Sequence, residues 1–151
     1  MSMIGQPAPD FALDATTGHQ VRLADLHGSY VVLIFYPAND TPVCNKQLEE
    51  ASVSAAQLLQ HNARIFGVNT AKMEKSRDYC TRKRLEFPIL ADPGGAVAKK
   101  YDAHWSWLSM NRRTVIGIDP DGKVMFYERG TPSGEHIIKA ITRHESELPT
   151  A

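Results

Sequence analysis

From position 30 to 36 the chain reads Tyr-Val-Val-Leu-Ile-Phe-Tyr with no charged or amide side chain, and Pro37 ends the run. An unbroken β-branched and aromatic stretch of this length predicts a strand covered on both faces, as in a sheet held between helix layers. Thr41-Pro42 then carries a helix-start signature, a hydroxyl N-cap with proline at the first helical position. Leu48, Ala51, Ala55, Leu58 and Leu59 follow at helical spacing, so the helix is predicted to reach about His61 with these residues on its core face. Residues 64–69 predict a second short strand, and the polar stretch 72–84 an exposed helix. Residues 87–90 predict a brief strand and 96–101 a short helix. Residues 114–118 and 123–127 flank Asp119-Pro120-Asp121-Gly122, a hairpin signal. An amphipathic helix is predicted from about Ser133 to His144, and a first hairpin around Thr17-Gly18. The order β-α-β-α-β-β-α, after that N-terminal β-hairpin, predicts an α/β layer fold with a mixed central sheet flanked by helices. Glycine and proline fall singly at turns, with no linker or repeat, so residues 1–151 read as one domain.

Composition adds exclusions. Seventeen basic residues balance 17 acidic ones, which argues against nucleic acid or an anionic membrane surface as a partner. The longest apolar run falls far short of the roughly 20 residues of a membrane helix. The opening Met1-Ser2-Met3-Ile4-Gly5 lacks the basic start of a signal peptide, so a cytoplasmic protein is expected. Six histidines show no ligand spacing, and neither a metal nor another cofactor is expected. Residues 104–108 (His-Trp-Ser-Trp-Leu) could wall a pocket or face a partner; packing of at least one Trp in the core is the expectation.

Only two cysteines, Cys44 and Cys80, are present, too few for a disulfide-stapled scaffold. Each is therefore either a small buried hydrophobe or a reactive thiol. With Thr41 as cap, Cys44 falls at the third helical position, where unpaired backbone N–H groups and the helix dipole favour a thiolate. The turn from a buried strand into a helix is also where open α/β sheets bind ligands. Packing in the first turn remains the alternative, but polar Asn39, Asp40, Thr41 and Asn45 point to a site open to solvent.

Residues 37–44, Pro-Ala-Asn-Asp-Thr-Pro-Val-Cys, resemble the Pro-x-x-x-Thr-x-x-Cys loop of the peroxiredoxins, thiol peroxidases of thioredoxin-like fold. The flanking blocks 5–11, 32–37, 87–92 and 119–122 resemble the family in the same order, and the chain is similar to its Q-type, or bacterioferritin comigratory protein, branch. The resemblance implies reduction of hydrogen peroxide, and of organic hydroperoxides, with no metal, haem or flavin. Cys44 would be the peroxidatic thiolate that becomes a sulfenic acid. Thr41 would hold the peroxide in line, and Pro37 would shield the sulfur from water. An arginine near residue 113 would stabilise the thiolate and the leaving oxygen. Gap-free counting back from Asp119 selects Arg113, whereas the family's Arg-x-Thr pattern selects Arg112; Arg113 is preferred because a gap would flip the strand's faces. Gln47 matches a polar position of the branch and either positions Arg113 or is simply solvated.

Many Q-type members carry the resolving cysteine where this chain has Glu49, and residues 144–151 hold no cysteine for a C-terminal one. The resemblance to a subset of the branch makes Cys80 the resolving residue, closing an intramolecular disulfide after both helices unwind. A thioredoxin-type dithiol protein would then reduce it. Two other readings stand beside this one: a one-cysteine peroxidase with Cys80 a spectator, and a redox sensor or relay whose oxidised form binds a partner. A Cys-x-x-Cys oxidoreductase is disfavoured by Thr41 and Gln47. A monomer or weak homodimer is expected.

Overall fold

The computed structural model describes residues 3–148. Met1-Ser2 and residues 149–151, read above for a leader and for a C-terminal cysteine, lie outside them. The strands are β1 (Ala12–Ala15), β2 (Gln20–Arg22), β3 (Tyr30–Phe35), β4 (Ala63–Asn69), β5 (Ile89–Ala91), β6 (His104–Trp105), β7 (Met110–Asn111), β8 (Thr114–Ile118) and β9 (Val124–Arg129). The helices are α1 (Pro42–Gln60), α2 (Met73–Lys83), α3 (Ala96–Lys100) and α4 (Gly134–Glu147). Seven strands form one sheet in the order β2-β1-β5-β4-β3-β8-β9, and β6 pairs with β7 in a separate ribbon.

The apolar run at 30–36 takes the centre of this sheet. β3 is parallel to β4, with Leu33 opposite Phe66, and antiparallel to β8, with Leu33 opposite Ile116. Because strand side chains alternate between faces, one run feeds two cores. Val31, Leu33 and Phe35 pack with Phe66, Leu90, Ile116 and α3's Val97 and Ala98. Tyr30, Val32, Ile34 and Tyr36 pack with Leu48 and Leu58 of α1, Tyr79 of α2, and Ile137 and Ile141 of α4. The fold is thus a mixed α/β sheet flanked by helices, with α1, α2 and α4 on one face and α3 on the other. The N-terminal hairpin, β1 with β2, joins through β5.

Several expectations are corrected. Leu59 is 64% exposed, because the core stripe of α1 runs through Leu58 and the next residue turns about 100° away. α2 is polar in composition but not simply exposed, since Ser76 and Tyr79 are both 0% exposed. The strand expected at 87–90 begins only at Ile89; Pro88 has no N–H to give a ladder. Neither tryptophan enters the core: Trp105 and Trp107 are 38% and 82% exposed on the β6–β7 ribbon. There Trp105 is covered by the Arg112 guanidinium, 5.5 Å from the ring centre. Among the described residues no helix is long and apolar enough to cross a membrane.

Candidate active site

The loop between β3 and α1 is tied down before the helix starts. The Tyr36 hydroxyl donates to Asn39 Oδ1 at 2.6 Å, and Asn39 Nδ2 donates to Ser76 Oγ at 3.2 Å. Asp40 adopts φ 62°, a left-handed turn that Asp tolerates better than most residues, and reverses the chain into Thr41. Thr41 is the N-cap, its Oγ1 accepting from the Cys44 N–H at 3.4 Å, with Pro42 as the first helical residue. Pro37 is half-buried where the strand leaves the sheet.

Cys44 points inward and is 0% exposed, so its sulfur is not open to solvent as its polar neighbours had implied. What surrounds it is nevertheless polar on one side. Arg113 Nη1 and Nη2 both donate to Cys44 Sγ at 3.3 Å. Arg113 Nη1 also donates to Gln47 Oε1 at 2.9 Å. Gln47, one turn after Cys44 and 6% exposed, donates from Nε2 to the Gly130 carbonyl at 3.4 Å. The Gly130 N–H returns to the Arg113 carbonyl at 3.0 Å, closing a ring that fixes the guanidinium from both ends. Gly130 has φ 91°, a conformation strained for any residue with a Cβ.

Of the two candidate arginines, only Arg113 reaches the sulfur; Arg112 turns to Trp105, as alternation along extended backbone requires. Three further residues that the sequence reading missed hold this segment in place. Asn111 Nδ2 donates to the Val68 carbonyl at 3.1 Å, and Thr114 Oγ1 donates to the Arg112 carbonyl at 2.8 Å. Arg129, paired with Thr114 across the β8–β9 hairpin, donates to that same hydroxyl at 2.9 Å. The only sequence signal for this was the hairpin itself, whose register puts residue 129 opposite 114.

Cys80 stands apart from this group. It is half-buried on α2, and its Sγ lies 3.6 Å from Thr16 Oγ1, in the turn that follows β1. That hydroxyl also accepts the Ile89 N–H at 3.1 Å. Burial pushes the Cys80 thiol above its ordinary range, with the Thr16 hydroxyl opposing the shift. Both cysteines are free thiols.

Chemically, Cys44 combines a helix N-terminus, two charged N–H donors on the sulfur and a hydroxyl within one turn. Such a set of donors can stabilise negative charge that develops beside the sulfur.

Residues 4–127 match the AhpC/TSA family. The chain is 30% identical over 146 residues to Peroxiredoxin Bcp of Bacillus subtilis, covering 91% of this chain and 92% of that one. It superposes on the crystal structure of Peroxidoxin BcpB from Mycobacterium tuberculosis with TM-score 0.85 and 28% identity, covering 99% of this chain and 100% of that one. The fold is shared with the Xanthomonas campestris bacterioferritin comigratory protein at TM-score 0.81 and 19% identity, over 89% of this chain and 91% of that one. The chain therefore belongs to the AhpC/TSA family of peroxiredoxins and has the thioredoxin-like fold. It is a thiol peroxidase, and its relatives include Bcp, or Q-type, members.

Proposed function

We propose that Cys44 is the peroxidatic residue and that it reduces hydrogen peroxide and organic hydroperoxides. The Cys44 thiolate attacks one peroxide oxygen; the S–O bond forms as the O–O bond breaks, and the departing oxygen takes a proton and leaves as water or an alcohol. Cys44 is left as a sulfenic acid. The observation carrying this reading is the pair of Arg113 N–H groups on Cys44 Sγ, each at 3.3 Å. They stabilise the thiolate beforehand and face the charge that develops on the leaving oxygen. Thr41, whose hydroxyl caps the helix at the Cys44 N–H, orients the peroxide. Pro37 has no N–H to draw water to the sulfur, and Gln47 positions Arg113. The X. campestris protein of the same fold is described for its alkyl peroxide reduction activity, which supports organic hydroperoxides as a second substrate class here.

Cys80 then resolves the sulfenic acid. Its sulfur attacks Cys44 Sγ, the S–S bond forms, and the hydroxyl departs with the Cys80 proton as water. A thioredoxin-type dithiol protein reduces the disulfide and is itself oxidised. The chain works as one domain, since the strands of its first and last hairpins share a sheet. We assign it to the cytoplasm, where such dithiols are kept reduced, as a monomer or weak homodimer.

Intact mass after one equivalent of hydrogen peroxide tests the scheme. Loss of two hydrogens in the wild type, with one added oxygen in Cys80→Ser, is the expected result. An added oxygen in both would make Cys80 a spectator. No change in either would remove Cys44 from the chemistry. A second-order rate no faster than that of free cysteine would favour a sensor or relay over a peroxidase.

A further inference from the structure

The two sulfurs are held by different partners, from different parts of the sheet. Cys44 is held by Arg113, which leads into β8, and Cys80 by Thr16, which follows β1; β8 and β1 lie on opposite sides of β3 and β4. A disulfide brings the two Cα atoms within about 7 Å and the sulfurs into a bond, so each sulfur must leave its present partner before the two can join. The start of α1, with the loop before it, is joined to α2 by side-chain contacts. Two are neutral and shielded: Asn39 to Ser76, and the Tyr79 hydroxyl, which donates to Asn45 Oδ1 at 2.5 Å and also meets the Asp40 backbone N–H. Two are exposed ion pairs, Arg82 with Asp40 at 3.3 Å and Lys83 with Glu49 at 3.7 Å, of a kind that contributes little.

The Tyr79–Asn45 bond differs from the rest in its position. Asn45 is the residue after Cys44, and Tyr79 is the residue before Cys80. The bond therefore ties together the backbone next to each cysteine. Tyr79 is 0% exposed, packed in the same core as Cys44 and Leu48. Turning Cys80 towards Cys44 means rotating or unwinding the turn that carries Tyr79, and its hydroxyl then leaves Asn45.

We propose that Tyr79 and Asn45 form a latch that sets how long the Cys44 sulfenic acid waits for Cys80. The inference rests on the resolving role of Cys80 proposed above. While the latch is closed, a second peroxide competes for the sulfenic acid. That side reaction converts R–SOH and H2O2 into R–SO2H and water, whereas resolution converts R–SOH and Cys80–SH into the disulfide and water. Tyr79 and Asn45 touch neither peroxide nor sulfur in this scheme and act by position alone. Sensitivity to overoxidation is thus written into the hydrogen bonding of one phenol between the helices.

Tyr79→Phe removes the hydroxyl and keeps the buried ring. Three quantities are read: the second-order rate of first oxidation by stopped flow, the rate of disulfide formation by acid quench and intact mass, and the peroxide concentration at which half the protein carries two added oxygens. The first is expected to be unchanged. The second should rise roughly three- to tenfold, the equilibrium effect of losing one such bond, and the third should rise by the same factor. Asn45→Ala should act in the same direction as Tyr79→Phe and by no more, since the phenol then keeps the Asp40 N–H, and the double variant should go no further than Tyr79→Phe, because the hydroxyl through which both act is already gone. Arg82→Ala, on the same helix, should change resolution less than twofold.

Unchanged resolution and an unchanged sulfinic threshold in Tyr79→Phe would overturn the latch while leaving Cys80 as resolver. Additive effects of Tyr79→Phe and Asn45→Ala would overturn it too, showing general loosening of α2. Absence of any disulfide in the wild type would overturn the resolving role of Cys80, and the latch with it.

Discussion

Cys44 is wholly buried and Cys80 only half so, yet it is the buried sulfur that meets charged partners. Around Cys44 the partners are charged and fixed: two guanidinium N–H groups, a helix N-terminus, and a glutamine that holds the guanidinium still. Around Cys80 the partners are neutral, the Thr16 hydroxyl and the Ile89 N–H, and burial dominates, raising the thiol. What decides nucleophilicity is the sign and orientation of the neighbouring dipoles, with burial acting to amplify them.

The largest effect that would sharpen this contrast is at Arg113. Arg113→Ala leaves Cys44 at the helix terminus and removes both donors to its sulfur. The rate constant with peroxide should fall roughly 10²–10³-fold, the usual consequence of losing a donor aimed at developing charge. Arg112→Ala should stay within about threefold, since that side chain covers Trp105 instead. Equal losses in the two variants, measured by stopped flow, would break the comparison, because they would make the effect one of overall positive charge.

A smaller loss is expected at Gln47. Gln47→Ala leaves Arg113 charged but frees it from the ring through Gly130, and roughly a tenfold fall in rate follows if the hydrogen bond to that charged group is lost. Gln47→Glu keeps the acceptor for Arg113 and should recover part of the rate, which simple solvation of residue 47 would not predict.

At Thr41 the effects divide. Thr41→Ala removes the N-cap and should lower unfolding free energy by about 1 kcal/mol. Thr41→Ser should restore both stability and peroxide rate. A variant that keeps the rate while losing stability would confine Thr41 to capping. Denaturant unfolding and peroxide kinetics on the same samples separate the two roles.

These contrasts also mark what the sequence could reveal. The central strand, the Thr41-Pro42 helix start and the hairpin at Asp119–Gly122 were legible because each is specified by adjacent residues. Arg113 rather than Arg112 came from gap-free counting back from Asp119 against the resembling family, and Arg113 is the one whose guanidinium lies on the Cys44 sulfur. Gln47's burial was not, since its partners Arg113 and Gly130 lie far along the chain and nothing local separates a bound glutamine from a solvated one. The same holds for α2, whose polar composition hides a buried edge of Ser76 and Tyr79. The β6–β7 ribbon, with two residues per strand, is too short to leave any periodicity, and its tryptophans looked like core for want of that context.

The smallest expected effect is on the ionisation of Cys80, and it isolates the neutral side of the comparison. In Cys44→Ser, the pH profile of Cys80 alkylation reports that thiol alone. Desolvation disfavours the thiolate, so the midpoint should lie above the ordinary 9.0. The Thr16 hydroxyl already accepts the Ile89 N–H, which leaves its own proton free to donate to the sulfur and pull the midpoint down. Thr16→Val should therefore raise the midpoint further. The sign for stability follows: a thiol whose folded value is raised keeps its full contribution below the unfolded value, and loses it as pH climbs towards the folded one. Loosening of α2 should thus begin above about pH 9 and continue as Tyr79 ionises, its hydroxyl being pushed by burial from 10.0 up to about 12. Hydrogen exchange along α2, with tyrosinate absorbance as the second probe, should show this in wild type and at lower pH in Tyr79→Ala. A Cys80 midpoint at or below 9.0 would mean that a positive group reaches this sulfur as well, and the division between a charged site and a neutral one would fail.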